Sequence, residues 1–220
     1  MTILIVEDEP SGAILLRRIL EHGGHTVIIA TDGTHALEVL DERPDVELVM
    51  ADIQMPEMDG ISLLKAVRER PDLQDLPVLF VSATADADTV REAAHLGSQG
   101  YLLKPITEPS KVLERVNAIA RQYPALLADP DACRARAGLT GEEVHARCVA
   151  FSERVHGALE EIEEKGALRA ESAAALREYA TTLGARRLLR RLDAGAAGGE
   201  RALLVRELRA LTFALPVLTD

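Results

Sequence analysis

Tryptophan is absent from the 220-residue chain, and three tyrosines and three phenylalanines are its only aromatic side chains. Interior packing must therefore be carried by aliphatic residues and alanine, a composition that favours helices. There are only two cysteines, Cys133 and Cys148, which are expected as free, partly buried thiols in a reducing cytoplasm. No run of about 18 apolar residues occurs, so no membrane span is expected. The first residues pass straight into an apolar run with no basic region before it, so no signal peptide is expected. Basic charge is also in short supply, the net charge being −11. The deficit is uneven: residues 1–124 carry 21 acids against 11 Lys and Arg, and residues 125–220 carry 15 against 14. An acidic first half beside a near-neutral second half lacks the electrostatic footprint of a nucleic-acid-binding protein.

What is present divides at the same place. Residues 1–122 alternate apolar runs, roughly 2–6, 25–30, 46–51, 77–81 and 99–103, with amphipathic stretches, roughly 10–22, 33–42, 60–70, 86–96 and 107–122. Alternating strands and helices predict an α/β domain, a five-stranded doubly wound parallel sheet with helices on both faces. Residues 123–130, with Pro124 and Pro130 at its ends, read as a short linker. Residues 131–220 read as helical throughout.

The strand ends carry the chemistry. The run 46–51 ends on Asp52, followed by a Met-Pro turn and Asp59-Gly60. The first strand ends on Glu7-Asp8-Glu9, the fourth on Ser82-Ala83-Thr84, and the fifth on Lys104-Pro105. In an open α/β sheet, ligands sit beyond the carboxyl ends of the strands. Taken alone, an Asp at a strand end is an ordinary turn or cap residue. Four ends delivering Glu7 and Asp8, Asp52, Ser82 and Lys104 to one edge are another matter. Clustered carboxylates need a counter-charge, and three acids suit a hard cation such as Mg²⁺, which takes oxygen ligands. A lysine and a hydroxyl opposite the metal would complete an oxyanion pocket. Together these groups fit a phosphoryl-transfer site with a carboxylate nucleophile.

These residues resemble the receiver domain of bacterial two-component response regulators, over residues 1–122. The resemblance rests on Glu7/Asp8, on Asp52 within D-x-x-M-P-x-M-D-G, on Ser82-Ala83 and on Lys104-Pro105. It implies a flavodoxin-like fold, Asp52 as phosphoacceptor, and Mg²⁺ held by Glu7, Asp8, Asp52 and the Gln54 carbonyl. It also implies Lys104 and Ser82 as phosphate-binding groups, and Tyr101, three residues before the lysine, as an aromatic switch partnering Ser82. The phosphodonor would be a histidine kinase or phosphotransfer protein. The domain would promote its own phosphorylation and dephosphorylation without being an enzyme on another substrate.

In the second half, Val144, Cys148, Phe151, Val155, Leu159 and Ile162 recur at helical spacing and predict a long helix over 141–165. Leu176, Ala180, Leu183, Leu188, Leu189 and Leu192 form a second stripe, and Leu204, Leu208, Leu211 and Leu215 a third. With a short helix near 125–136, the pattern predicts a four-helix bundle. The stretch 174–188, A-A-L-R-E-Y-A-T-T-L-G-A-R-R-L, resembles the signature helix of the histidine-phosphotransfer domain through Leu176, Arg177, Leu183, Gly184 and Ala185. It departs where that family is reactive. Ala174 stands at the phosphorylated histidine's position and Glu178 at that of a small glycine. A methyl group offers no nucleophile, so the bundle is expected as a degenerate phosphotransfer domain serving as a binding or dimerisation surface.

Other residues are candidates as well. His145 and His156 lie on the helix over 141–165, and His156, followed by Gly157 and Glu160-Glu161, faintly resembles a kinase phosphoacceptor box. Onward relay through His156 is thus one alternative function, and a transcriptional regulator with an unrecognised DNA-binding bundle is another. His22, His25, His35 and His95 read as surface histidines. Asp86 and Asp88 read as caps of the fourth helix, with control of access to Asp52 as a second role. Arg186, Arg187, Arg190 and Arg191 read as a solvated basic face that could also dock an acidic partner. The leading expectation is a cytoplasmic response regulator acting on a downstream protein, with a homodimer possible and neither nucleic acid nor membrane as partner.

Overall fold

The computed structural model describes residues 1–83, 86–123, 138–194 and 199–217. The expected helix at 125–136, Thr84, Cys133 and most of the glycine-rich break after Ala194 lie outside the described residues. The chain divides into two units, Met1–Tyr123 and Pro124–Asp220.

In the first unit, β1 (Thr2–Val6), β2 (Thr26–Ala30), β3 (Val46–Ala51), β4 (Val78–Ser82) and β5 (Tyr101–Leu103) form one sheet in the order β2-β1-β3-β4-β5, every pairing parallel. Five helices connect and follow them: α1 (Pro10–His22), α2 (Gly33–Glu42), α3 (Gly60–Glu69), α4 (Ala87–His95) and α5 (Pro109–Gln122). The central strands β3 and β4 are buried along their whole length, as expected when helices cover both faces. One face packs Leu16, Ile19 and Leu20 of α1 with Val112, Val116 and Ile119 of α5. The other packs α2, α3 and Ala93 of α4 around Phe80.

Helix starts follow from the sequence. Asp32, Asp59 and Asp86 accept the backbone N–H groups of His35, Ser62 and Thr89 at 2.9, 2.6 and 2.9 Å, each satisfying an otherwise orphaned donor. Pro10 and Pro109 open α1 and α5, where a missing N–H costs nothing. Asp86 thus does cap α4, while Asp88 pairs with Arg91 on the helix surface.

The second unit contains α6 (Gly141–Lys165), α7 (Ala170–Leu183), α8 (Arg186–Ala194) and α9 (Gly199–Val217), which share one apolar core. Thr140 and Glu143 form a reciprocal capping box at the start of α6, and Gly166 ends it at φ 74°. Two details differ from the periodicity. The buried stripe of α6 runs through Ala158 and Glu161, with Leu159 half-buried. The second stripe spans two helices, because Gly184 adopts φ 70° and closes α7 before Arg186 starts α8. No helix among the described residues is long and apolar enough to cross a membrane.

Candidate functional site

Parallel pairing brings the four strand ends together. Val6 is in register with Ala51, and Ser82 with Leu103, so the next residues along β1, β3 and β5, Glu7, Asp52 and Lys104, emerge at one edge. Backbone bonds extend the ladder past the strand ends: Asp52 N–H donates to the Val6 carbonyl at 2.9 Å, and Lys104 N–H to the Ser82 carbonyl at 3.0 Å. The Lys104–Pro105 peptide is cis.

At this edge Lys104 Nζ donates to Asp52 Oδ2 at 2.6 Å and to Glu7 Oε1 at 2.8 Å. Asp52 Oδ1 accepts the Gln54 backbone N–H at 3.1 Å. Glu7, Asp52 and Ser82 are buried, at 3%, 8% and 0% exposure, whereas Asp8 and Gln54 face solvent. Burial pushes the Glu7 carboxyl above its ordinary value, against the opposing hydrogen bond and charge of Lys104. Burial also disfavours the Lys104 ammonium, but its bonds to Asp52 and Glu7 outweigh that, and its pKa is raised. The lysine is therefore held charged between two acids.

Glu7, Asp8 and Asp52 each offer a carboxylate oxygen within 4.8 Å of the others. Glu7 Oε2 is buried and lies 2.6 Å from Lys104 Nζ, an ion pair that engages both oxygens of the carboxylate. Three converging hard oxygens fit a divalent cation of the Mg²⁺ type.

Two glycines shape the site. A Cβ on Gly60 would lie 2.2 Å from the Asp52 carbonyl oxygen, so α3 can start against β3 only if residue 60 lacks a side chain. A Cβ on Gly12 would come within 3.0–3.3 Å of the Glu7 carboxyl group. Gly12 belongs to no motif, and its only signal in the sequence is that of a glycine inside a helical stretch, a sign of close approach. Between them, Glu57 takes φ 60° in the loop after Met55-Pro56.

Tyr101, on β5 beside Phe80, packs against the Phe80 side of the core. Its hydroxyl is buried without a hydrogen-bond partner. The remaining candidates lie apart from this edge. Ala174 and Glu178 are exposed one turn apart on α7. His145 and His156 are exposed on α6, and the His156 Nδ1 contacts the Ser152 carbonyl at 2.8 Å. His22 and His95 are exposed as expected, and His35 is half-buried. His25 departs from expectation: both ring nitrogens are buried without partners, and burial lowers its pKa. The basic face of α8 is partly used internally, since Arg187 pairs with the buried Glu207 at 2.6 Å.

A doubly wound sheet with an acid cluster, a lysine and a buried hydroxyl at its carboxyl edge defines an α/β domain with an acidic pocket. Residues 3–117 match the response regulator receiver domain, and the chain belongs to that family. Chemotaxis protein CheY of Pseudomonas aeruginosa is 40% identical over 124 residues, 53% of this chain and 99% of that protein. The regulator of RpoS of Escherichia coli K12 is 40% identical over 125 residues, 56% of this chain and 35% of that protein. Among solved structures, a putative response regulator from Chloroflexus aurantiacus is 32% identical with a TM-score of 0.51, covering 55% of this chain and 97% of that one. The receiver domain of a histidine kinase from Syntrophus aciditrophicus is 29% identical with a TM-score of 0.52, covering 56% and 92%. The family match ends at residue 117, before the second unit.

Proposed function

We propose that this protein is a cytoplasmic response regulator in which Asp52 accepts a phosphoryl group from a histidine kinase, a phosphotransfer protein or a small acyl phosphate. The observation that carries the reading is the convergence of Glu7, Asp8, Asp52 and Lys104 on one edge of the sheet. Asp52 is the nucleophile: its carboxylate oxygen bonds to phosphorus as the bond to the donor breaks. Glu7, Asp8, Asp52 and the Gln54 carbonyl would hold Mg²⁺, which when bound offsets charge on the transferring oxygens. Lys104, already charged and 2.6 Å from Asp52, needs only to exchange a carboxylate oxygen for a phosphoryl oxygen. Ser82 bonds the acyl phosphate, and Tyr101 follows it, finding in the shifted packing a partner for its hydroxyl. Such a switch needs about 5.5 kcal/mol of differential stabilisation to move from 1:99 to 99:1. Hydrolysis resets it, so the domain acts on itself and is not an enzyme for another substrate.

The second unit is read as a degenerate histidine-phosphotransfer-like four-helix bundle. Gly184 and Ala185 of its signature stretch fall in the break between α7 and α8, and Ala174 and Glu178 on the exposed face of α7. It serves as a docking or dimerisation surface for a downstream protein. The test is Asp52→Asn incubated with Mg²⁺ and acetyl phosphate. The wild type takes up one phosphoryl group and the variant none; uptake at the wild-type rate would falsify the assignment.

A further inference from the structure

Gln99 and Tyr123 link the strand that carries Tyr101 to the residue at which the chain leaves the receiver. Gln99 is tied to Val78 twice: its backbone N–H donates to the Val78 carbonyl at 2.8 Å, and its Oε1 accepts the Val78 N–H at 2.6 Å. That acceptor bond fixes which way the amide faces. Nε2 therefore points away from β4, donating to the Gly97 carbonyl at 3.1 Å and to the Tyr123 hydroxyl at 2.8 Å. Both amide hydrogens and the amide oxygen are thus engaged, so the side chain has no equivalent alternative orientation.

The anchoring continues on both sides. Arg115 of α5 donates to the Gln99 carbonyl and lies against Gly100, which has φ 126° and no room for a Cβ beside the guanidinium. Arg68 of α3 donates to the carbonyls of Leu96, Gly97 and Leu76 at 2.9–3.0 Å. Tyr123 ends α5 with its N–H on the Ile119 carbonyl and its ring against the α1–α5 side of the core. Pro124 follows it. A proline disfavours the helical conformation in the residue before it, and Tyr123 is accordingly extended, at ψ 98°. The helix therefore stops here, with the Tyr123 side chain bonded to Gln99. A surface cleft of about 310 Å³ beside the pair, lined by Ser98, Arg115 and Ala118 among others, gives the ring room to leave.

We infer that the Gln99–Tyr123 pair is a latch that couples the position of β5 to the chain's exit toward the second unit. Gln99 precedes Tyr101 by two residues, so a shift of Tyr101 on activation displaces the start of β5. The amide then releases or re-aims the Tyr123 hydroxyl. This output path rests on the receiver reading of Asp52, and it identifies Tyr123 as a positioning residue outside the phosphoryl site.

The test is amide hydrogen exchange on the full chain with Mg²⁺, with and without beryllofluoride, in the wild type and in Tyr123→Phe. The variant removes one hydroxyl and leaves the ring. In the wild type, beryllofluoride changes exchange both in residues 99–103 and in the last turn of α5. In the variant the change at 99–103 and the rate of Asp52 phosphorylation persist, while the change in the last turn shrinks by about fivefold, the effect of one net hydrogen bond. Three results would overturn the latch: an undiminished response in the variant, loss of its response at 99–103, or a wild-type response confined to 99–103. No response at either place in the wild type would sink the receiver reading and the latch together.

Discussion

Asp52 is held by contacts that leave no spare volume on its backbone side. Its N–H is fixed to β1, its carbonyl lies under Gly60, and its two carboxylate oxygens meet Lys104 and the Gln54 N–H. Adding one methyl at residue 60 therefore acts directly on the proposed phosphoacceptor. Gly60→Ala is expected to destabilise the receiver by about 1–3 kcal/mol, the usual cost of overpacking, and to slow phosphorylation of the fraction that stays folded. Urea denaturation and single-turnover labelling check the two effects separately. A variant with wild-type stability and rate would mean that α3 moves aside at no cost. The difference between what was and was not legible in the sequence is plain here. Glu7, Asp8, Asp52, Ser82 and Lys104 stand out because each follows an apolar run, and parallel pairing sends all such ends to one edge. The need for glycine at 60 and 12 arises from contacts through space, and local pattern gives at most a hint of it. His25 is similar: as the residue before β2 it looks like a surface histidine, and only packing deprives both its nitrogens of partners.

At the scale of elements, the join between α6 and α7 is held by a buried carboxylate that hydrophobic periodicity gave no reason to notice. Glu161 sits within the apolar stripe of α6 and accepts bonds from the Arg169 N–H at 3.1 Å, the Arg169 guanidinium and the Ser172 hydroxyl at 2.6 Å. It thus serves the start of α7, whose own N-cap residue, Arg169, makes no side-chain cap. The Ser172 bond, with the Arg169 bonds behind it, holds the Glu161 carboxyl below its ordinary value of 4.5. A carboxyl lowered on folding stabilises the fold above its unfolded pKa, and that stabilisation is lost as pH falls through the folded value. Glu161→Gln is accordingly expected to melt at lower temperature than wild type at neutral pH. The gap should begin to narrow as pH falls below 4.5, the ordinary value of the carboxyl, and close only as pH falls through the lower folded value. Melting followed by helical ellipticity across that range decides it; a gap independent of pH would mean that shape, and not charge, holds the join. The break at Gly184 was readable as glycine followed by a small residue, but two apolar stripes in phase concealed that it separates two helices. Helix ends governed by Asp caps or by proline were the easiest to place, because those signals act within a few residues.

For the whole molecule, the distribution of chemistry between the two units decides how a phosphoryl group can travel. The acid cluster, the charged lysine and most of the net charge of −11 belong to the first unit. The second has its own core and histidines only at 145 and 156, both exposed. On the proposed phosphotransfer reading, the position that would react holds Ala174. His156 is reachable by solvent, but its Nδ1 contact with a carbonyl one turn back is shared by His95 on α4, so it marks no special activation. Glu153 and Glu160 border the same groove as His156 and would repel an incoming phosphoryl group. Label supplied to the full chain by a phosphodonor should therefore be entirely alkali-labile, as an acyl phosphate is, and should map to peptides of residues 1–123. Asp52→Asn should carry none. Alkali-stable, acid-labile label on a peptide containing His156 would instead make the second unit a relay station. If that label also disappeared in Asp52→Asn, the phosphoryl group would have reached His156 by way of the receiver.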